Sequence, residues 1–246
     1  MKLATLPLVV LLALASWASG QITDGLLFDG TGRLQWTYIV ENDGATITAS
    51  TATGAVTIPS VLGGYVVKKV GSFTSDEHNT SVTSVVIPNN VTSIGDGAFA
   101  GFTGLTSVSI PNSVTSIGDF ALSGCSGLTS VSLGNGVTSI GGAAFSGCTG
   151  LTSVSIGNNV TSIGGAAFSG CTGLTSVSIP NSVTSIESSA FLNCTGLTSV
   201  SIGNNVTSIG HKAFGECTRL TSVNIPKSVT SIDATAFEGC SPKLRH

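Results

Sequence analysis

The chain has 246 residues, of which 9% are charged and 41% hydrophobic, and its formal net charge is −3. A nearly neutral chain without a large cluster of Lys or Arg argues against binding to nucleic acid or to an anionic membrane. Few charges and many small residues are also features of disordered chains, but here the hydrophobic residues recur with a fixed period. We therefore expect an ordered core.

Residues 1–20 have the pattern of a secretory signal peptide. Lys2 provides a positive charge, residues 6–15 are apolar, and Ala18-Ser19-Gly20 supply the small residues of a cleavage site. The apolar run is too short for a typical membrane-spanning helix. We expect a mature chain that begins near Gln21 and is secreted or displayed at the cell surface. It should not insert into a membrane after the signal is cleaved.

Residues 21–81 are predicted to form an N-terminal β cap followed by a partial first repeat. The alternating residues of one segment predict a strand with an aromatic-rich face: Leu34, Trp36, Tyr38 and Val40. The residues Asn42-Asp43-Gly44 that follow are typical of a tight hairpin turn. We interpret this region as a cover for the open first coil. The alternative is an aromatic patch that binds a ligand.

Residues 82–242 are predicted to form seven repeats of 23 residues, which we number 1 to 7. A fixed period in the twenties indicates a solenoid, in which each unit buries its apolar side against its neighbours. Residues 243–246 are a short C-terminal tail. The repeats begin at Val82, Leu105, Leu128, Leu151, Leu174, Leu197 and Leu220.

Repeat 4 illustrates the pattern expected in every coil. Its first residues predict a short strand, and residues 160–163 predict a second extended segment. Residues 164–171 lack alternation and are predicted to form one helical or 3₁₀ turn. The predicted fold class is thus a repeat solenoid, rich in short parallel β-strands, with short helical or 3₁₀ turns and a β cap. The expected inward residues are Leu151, Val154, Ile156, Val160, Ile163, Ala167, Phe168 and Cys171.

This pattern resembles the leucine-rich repeat, and specifically the BspA-like, or Treponema-type, subfamily. The resemblance covers residues 55–242, and repeat 5 shows it most fully, with Ile179-Pro180, Val183, Ile186, Ala190-Phe191 and Cys194 at the positions of the subfamily unit. It implies a leucine-rich repeat solenoid of a secreted or surface-exposed kind, of which some members take part in adhesion. The repeat is a scaffold, so it does not by itself name a ligand.

Six cysteines recur with the same period. In an exported protein they could form disulfides, but repeat 1 has Phe102 at this position, which indicates an apolar core position. Each Cys also has two equivalent stacked neighbours and no preferred partner. We predict a buried ladder of free thiols with a structural role, and no metal site: Cys125, Cys148, Cys171, Cys194, Cys217 and Cys240.

Catalytic groups are scarce in the repeats. Between Gly127 and Ile186 the chain has no Asp, Glu, Lys, Arg or His, whereas general acid–base chemistry needs positioned titratable groups. We therefore expect neither an enzyme nor a bound cofactor.

Hydroxyl residues recur on the outward side of the predicted strands. They keep a solenoid soluble, and they also offer an extended neutral surface for contact with an extracellular protein or glycan. The candidate binding face consists of Thr106, Ser107, Ser109, Thr129, Ser130, Ser132, Thr152, Ser153, Ser155, Thr175, Ser176, Ser178, Thr198, Ser199 and Ser201.

The leading functional hypothesis is a recognition or adhesion module that uses this face. A second hypothesis is a structural surface protein that associates with itself through the C-terminal coil, because an uncovered coil exposes edge groups and apolar side chains. A third is ice binding through the regular Thr and Ser ladders.

Overall fold

The computed structural model describes residues 25–28, 34–41, 44–71 and 80–241. The predicted signal peptide and the C-terminal tail lie outside these residues. Within them, twenty β-strands and no helix are found. None of the described segments forms a helix that is long and apolar enough to cross a membrane.

The first six strands form the N-terminal region. β1 pairs antiparallel with β2, which pairs antiparallel with β3, while β3 lies parallel to β6. The strand and the hairpin pairing predicted from the alternation of Trp36 and Tyr38 are thus present. The strands are β1 (Gly25–Phe28), β2 (Leu34–Glu41), β3 (Gly44–Ser50), β4 (Gly54–Thr57), β5 (Val61–Leu62) and β6 (Tyr65–Val70).

Trp36 and Tyr38 are 4% and 9% exposed and belong to the same continuous core as the repeats. Burial raises the pKa of the Tyr38 hydroxyl, and the neighbouring Tyr65 adds to this effect. The two buried rings therefore belong to the core and do not form an exposed aromatic patch. Tyr65 is exposed, together with Val61 and Val66.

Each repeat contributes a three- to five-residue strand and a two-residue strand. The first set comprises β7 (Val82–Val86), β9 (Ser107–Ser109), β11 (Ser130–Ser132), β13 (Ser153–Ser155), β15 (Ser176–Ser178), β17 (Ser199–Ser201) and β19 (Ser222–Asn224). The second comprises β8 (Ser93–Ile94), β10 (Ser116–Ile117), β12 (Ser139–Ile140), β14 (Ser162–Ile163), β16 (Ser185–Ile186), β18 (Ser208–Ile209) and β20 (Ser231–Ile232).

These strands stack in two parallel lines along the solenoid. The first line runs β4-β7-β9-β11-β13 and then β15-β17-β19, and the second runs from β6 through β8, β10, β12 and β14 and then β16-β18-β20. Equivalent residues of successive repeats face each other, as Ser130 faces Ser153. The predicted solenoid of short parallel strands is confirmed.

The third side of each coil, which we call the turn side, differs from the expected helical turn. In repeat 4, Ala166 has a φ of 56°, a left-handed conformation that interrupts a right-handed helix. The N–H groups of Ala166 and Phe168 donate to Ser188 and Ala190 of repeat 5, at 2.9 and 2.8 Å. Those of Ala167, Ser169 and Cys171 bond within the repeat. The segment is therefore a run of turns that also joins neighbouring coils.

The core consists of ladders of identical side chains. The rings of Phe145, Phe168, Phe191, Phe214 and Phe237 stack with centroids 5.1 to 5.4 Å apart and planes within 5° of parallel. Leu122 occupies the equivalent position in repeat 2 and is fully buried. Of the inward residues expected in repeat 4, all are buried except Val154, which is partly buried.

Candidate functional site

The candidate binding face is assembled by the first strand line. Side chains alternate along a β-strand, so the Val at the centre of each Ser-Val-Ser strand points inward and the two flanking Ser point outward. In repeats 2 and 3, Val108 and Val131 are 5% and 4% exposed. The flanking serines of these strands are exposed. We call the surface formed by these serines the strand face.

The strand register turns these serines into two straight ladders. Ser107 faces Ser130, and Ser109 faces Ser132, with no shift between strands. Because neighbouring strands lie about 4.8 Å apart and alternate residues of one strand about 6.6 Å apart, the hydroxyls form a two-dimensional lattice. The lattice is bordered by exposed Val86 in repeat 1 and by Asn224 in repeat 7.

The threonines of the predicted face have a different role from the serines. The Thr106 hydroxyl donates to the backbone carbonyl of Thr83 at 3.0 Å, and the Thr129 hydroxyl donates to that of Thr106 at 3.2 Å. Thr152 and Thr198 make the equivalent bonds. These hydroxyl protons tie one coil to the preceding coil, and the sequence alone does not show where they go.

Charged side chains gather elsewhere, on the turn side of repeats 6 and 7. Nδ1 of His211 lies 3.6 Å from Oδ1 of Asp233, and Nζ of Lys212 lies 3.2 Å from Oε2 of Glu238. Thr235 donates to Asp233 through its backbone N–H and its hydroxyl, and these bonds lower the pKa of the Asp233 carboxyl, with His211 adding to the effect. The cluster is not evident from the sequence, because its members are one repeat apart.

The cysteines form a stack inside the solenoid. Cys125 to Cys217 are buried, Cys240 is partly buried, and all six are free thiols. The Sγ of Cys171 donates to the carbonyl of Phe145 at 3.2 Å, and each other Cys makes the equivalent bond. In the described part of the chain, no group of three or more His, Cys, Asp or Glu side chains is arranged to hold a metal ion.

The position of a thiol in the stack determines its acidity. Burial raises the pKa of Cys194 to about 12, and burial likewise raises that of Cys171. The hydrogen bonds that Cys125 shares with Cys148 and Cys217 shares with Cys240, followed by burial, raise the pKa of Cys125 and Cys217. The pKa of Cys240 is lowered, chiefly by its hydrogen bond with Cys217.

The solenoid of this chain combines a 23-residue register with two lines of paired strands and with core ladders of Phe and Cys side chains. The profile of the family described as BspA type leucine-rich repeat region matches in six copies, over residues 77–198 and 122–243. The chain belongs to this family.

Solved structures of leucine-rich repeat proteins have a similar fold. One from T. pallidum is 31% identical, with 85% of this chain and 88% of that chain covered and a TM-score of 0.67. One from Bacteroides ovatus is 25% identical, covering 80% of this chain and 59% of that chain, with a TM-score of 0.55. No curated protein matches the chain.

A third structure, from Eubacterium ventriosum, is 28% identical and has a TM-score of 0.54. The alignment covers 85% of this chain and 50% of that chain. The chain is therefore homologous to bacterial leucine-rich repeat proteins, some of which are considerably longer.

Proposed function

We propose that this chain is an exported recognition module that binds an extracellular protein or glycan through its strand face. The predicted signal peptide supports export to the cell surface or the medium. Membership in the BspA-type family supports a binding role on a repeat scaffold. The proposal includes no catalytic step and no cofactor.

The observation that carries the proposal is the registered lattice of serine hydroxyls. No side-chain hydrogen bond is found for Ser130, Ser132, Ser153 or Ser155 in the described structure, and all four are exposed. Each hydroxyl can therefore donate one hydrogen bond and accept two in a complex. A neutral, flat surface of this kind favours contact that is spread across a wide area, so affinity would come from many small contributions.

The first test is a binding screen of the folded protein against extracellular matrix proteins and a glycan array. The variant Ser130→Lys/Ser153→Lys places two bulky charges in the lattice and is expected to weaken any binding about tenfold or more. The matched control, Thr149→Lys/Thr172→Lys, places the same charges in the same two repeats at exposed turn positions. Equal binding by both variants, or no binding to any probe, would contradict the proposal.

A second candidate function is self-association, which is favoured by the last coil. Ile232 is 45% exposed, and Ile225, Val229 and Phe237 are only partly buried, although their equivalents in earlier repeats are buried. In the described chain, nothing pairs with the outer edges of β19 and β20. Because the β cap covers the first coil, two copies would meet through their last coils and form a closed dimer rather than a filament.

Self-association is tested by sedimentation across micromolar concentrations. A dimer that is lost in Ile232→Lys and retained in Thr230→Lys, which changes an exposed neighbour, would support contact through the last coil. A monomer at every concentration would contradict it. Ice binding, the third hypothesis, predicts thermal hysteresis, which the same Ser130→Lys/Ser153→Lys variant should abolish.

A further inference from the structure

The stack of coils is interrupted at one step, between repeats 4 and 5. In the first strand line β13 does not pair with β15, and in the second line β14 does not pair with β16. Strands of every other pair of neighbouring repeats are paired in both lines. We call the strand-side boundary between repeats 4 and 5 the seam.

Individual hydrogen bonds locate the seam more closely. The N–H of Gly164 donates to the carbonyl of Ile140 at 2.8 Å, and the same bond is found in repeats 1 to 3 and in repeats 6 and 7. The equivalent bond from Glu187 to Ile163 is missing from the described structure. Thr184, likewise, makes neither the backbone nor the hydroxyl bond that its equivalents make to the preceding coil. The second strand line is therefore open here.

The first strand line is loosened at the same step. The N–H of Thr175 lies 3.4 Å from the carbonyl oxygen of Thr152, whereas the equivalent distances elsewhere are 2.9 to 3.1 Å. Val154 is partly buried, although Val131 and Val177 on either side are each 4% exposed. Solvent thus reaches a core position at the seam that it does not reach in the neighbouring repeats.

The turn side of the same step remains joined. Ala166, Phe168 and Gly170 of repeat 4 donate to carbonyls of repeat 5 over 2.7 to 2.9 Å. The rings of Phe168 and Phe191 stack at 5.3 Å, the same separation as at the next step. The turn side of the step is therefore fully bonded. On the strand side only the hydroxyl bond from Ser182 to the carbonyl of Val160, at 2.6 Å, and the long Thr175 contact remain, which is the arrangement of a hinge.

The seam coincides with a change in the repeat sequence. Glu187 stands where repeats 1 to 4 and repeat 6 have glycine. A Cβ added at Gly164 would lie 2.6 Å from the carbonyl carbon of Gly141, so a side chain here presses on the preceding coil. Asp233 occupies this position in repeat 7 and keeps its bond to Ile209, but no described coil follows it that would hold repeat 7 in place from the other side.

We propose that the seam is a hinge held open by Glu187, about which repeats 5 to 7 rotate against repeats 1 to 4. The bonded turn side forms the axis, and the strand side opens and closes. The strand face consequently consists of two rigid parts, one in repeats 1 to 4 and one in repeats 5 to 7. A change of the hinge angle alters the spacing between the Ser153–Ser155 and Ser176–Ser178 strands and leaves all other strand spacings unchanged.

Hydrogen exchange of individual amides tests whether the seam is open. The amides of Thr184 and Glu187 should exchange at least about tenfold faster than those of Thr207 and Gly210, because only the latter are bonded to a neighbouring coil. In Glu187→Gly the exchange of both amides should slow to the level of their equivalents. Equal exchange in the natural chain would overturn the hinge, and unchanged exchange in the variant would overturn the role of Glu187.

Dipolar electron paramagnetic resonance tests whether the seam moves. Spin labels at Ser130→Cys and Ser199→Cys lie three repeats apart and span the seam, whereas labels at Ser84→Cys and Ser153→Cys lie equally far apart and do not. A Cys240→Ser background removes the partly buried thiol. The spanning pair should give the broader distance distribution, and Glu187→Gly should narrow it. Equal widths for the two pairs would overturn the proposal.

Discussion

The Sγ of Cys171 donates a hydrogen bond to the backbone carbonyl of Phe145, 26 residues earlier, at 3.2 Å. The thiol therefore fills the core and also satisfies a carbonyl of the preceding coil. Removing it leaves a small cavity and takes away one of the two hydrogen bonds that this carbonyl accepts, the other coming from the N–H of Cys148 at 3.2 Å. We expect Cys171→Ala to lower the free energy of unfolding by about 2 kcal/mol. Urea denaturation measures this, and Thr172→Ala, an exposed neighbour, should change stability by less than about 0.5 kcal/mol.

Thiol reactivity should separate Cys240 from the other five cysteines. Cys240 is partly buried and its pKa is lowered, whereas the other five are buried. Because the thiolate is the reactive form, one thiol should react with a maleimide near pH 7 in the folded chain and six in denaturant. Cys240→Ser should abolish the reaction of the folded chain. Fast labelling of several thiols without unfolding would contradict the buried ladder.

Alkaline pH should destabilise the fold. Burial raises the pKa of Cys194 to about 12, while an unfolded thiol ionises near about 8.5. Between these values the unfolded chain binds fewer protons, so stability falls as pH rises above about 8.5. At pH 10 the loss from this thiol is about 2 kcal/mol. Urea midpoints measured with a reductant at pH 8 and 10 give the decrease of stability with pH. This decrease should be smaller in Cys194→Ala.

The Phe ladder should be most sensitive at its centre. The ring of Phe191 stacks between those of Phe168 and Phe214, with centroids 5.3 Å away on both sides. We expect Phe191→Ala to cost about 4 kcal/mol of stability. Phe191→Leu should cost much less, because Leu122 already occupies this position in repeat 2. Phe237→Ala, at the partly exposed end of the stack, is the matched control and should cost less than Phe191→Ala. Midpoints of thermal unfolding would rank the stabilities of the three variants.

Two adjacent glycines should respond differently to the same substitution. A Cβ at Gly141 would lie 2.5 Å from the carbonyl carbon of Gly118, whereas the nearest atoms to a Cβ at Gly142 are 3.5 Å away. We expect Gly141→Ala to destabilise the fold by about 2 kcal/mol or more. Gly142→Ala should be close to neutral. Equal stability of the two variants in urea would show that the coils are not held as closely as described.

The period of the sequence was sufficient to predict the solenoid and the positions of its strands, because side chains that recur every 23 residues must stack on one another. It also predicted which residues would line the core in repeat 4. The turn side was harder to predict. Residues 164–171 have a composition compatible with a helical turn, and the left-handed φ of Ala166 depends on hydrogen bonds to the next coil that local sequence does not reveal.

The hydroxyls of the candidate face are of two kinds that the sequence does not distinguish. Thr and Ser look equivalent in the repeat, yet the hydroxyl of Thr106 is bonded to Thr83 while Ser107 remains free to bind. The seam was not predicted, since one Glu among repeated glycines is a small change in composition. Its effect arises from the close approach of two backbones, which is a property of the stacked coils and not of a single repeat.

Outside the seam, a Thr hydroxyl of each strand line donates to the carbonyl of the residue one repeat earlier, and from repeat 3 onward these bonds join identical residues, as between Thr129 and Thr106. Removing or duplicating one whole repeat would therefore bring the same donor to the same acceptor. The length of the molecule can change in increments of 23 residues without any new chemistry at the junction. Each increment would lengthen the contact surface by about 4.8 Å. Duplication or loss of whole repeats in the gene would therefore by itself change the length of that surface.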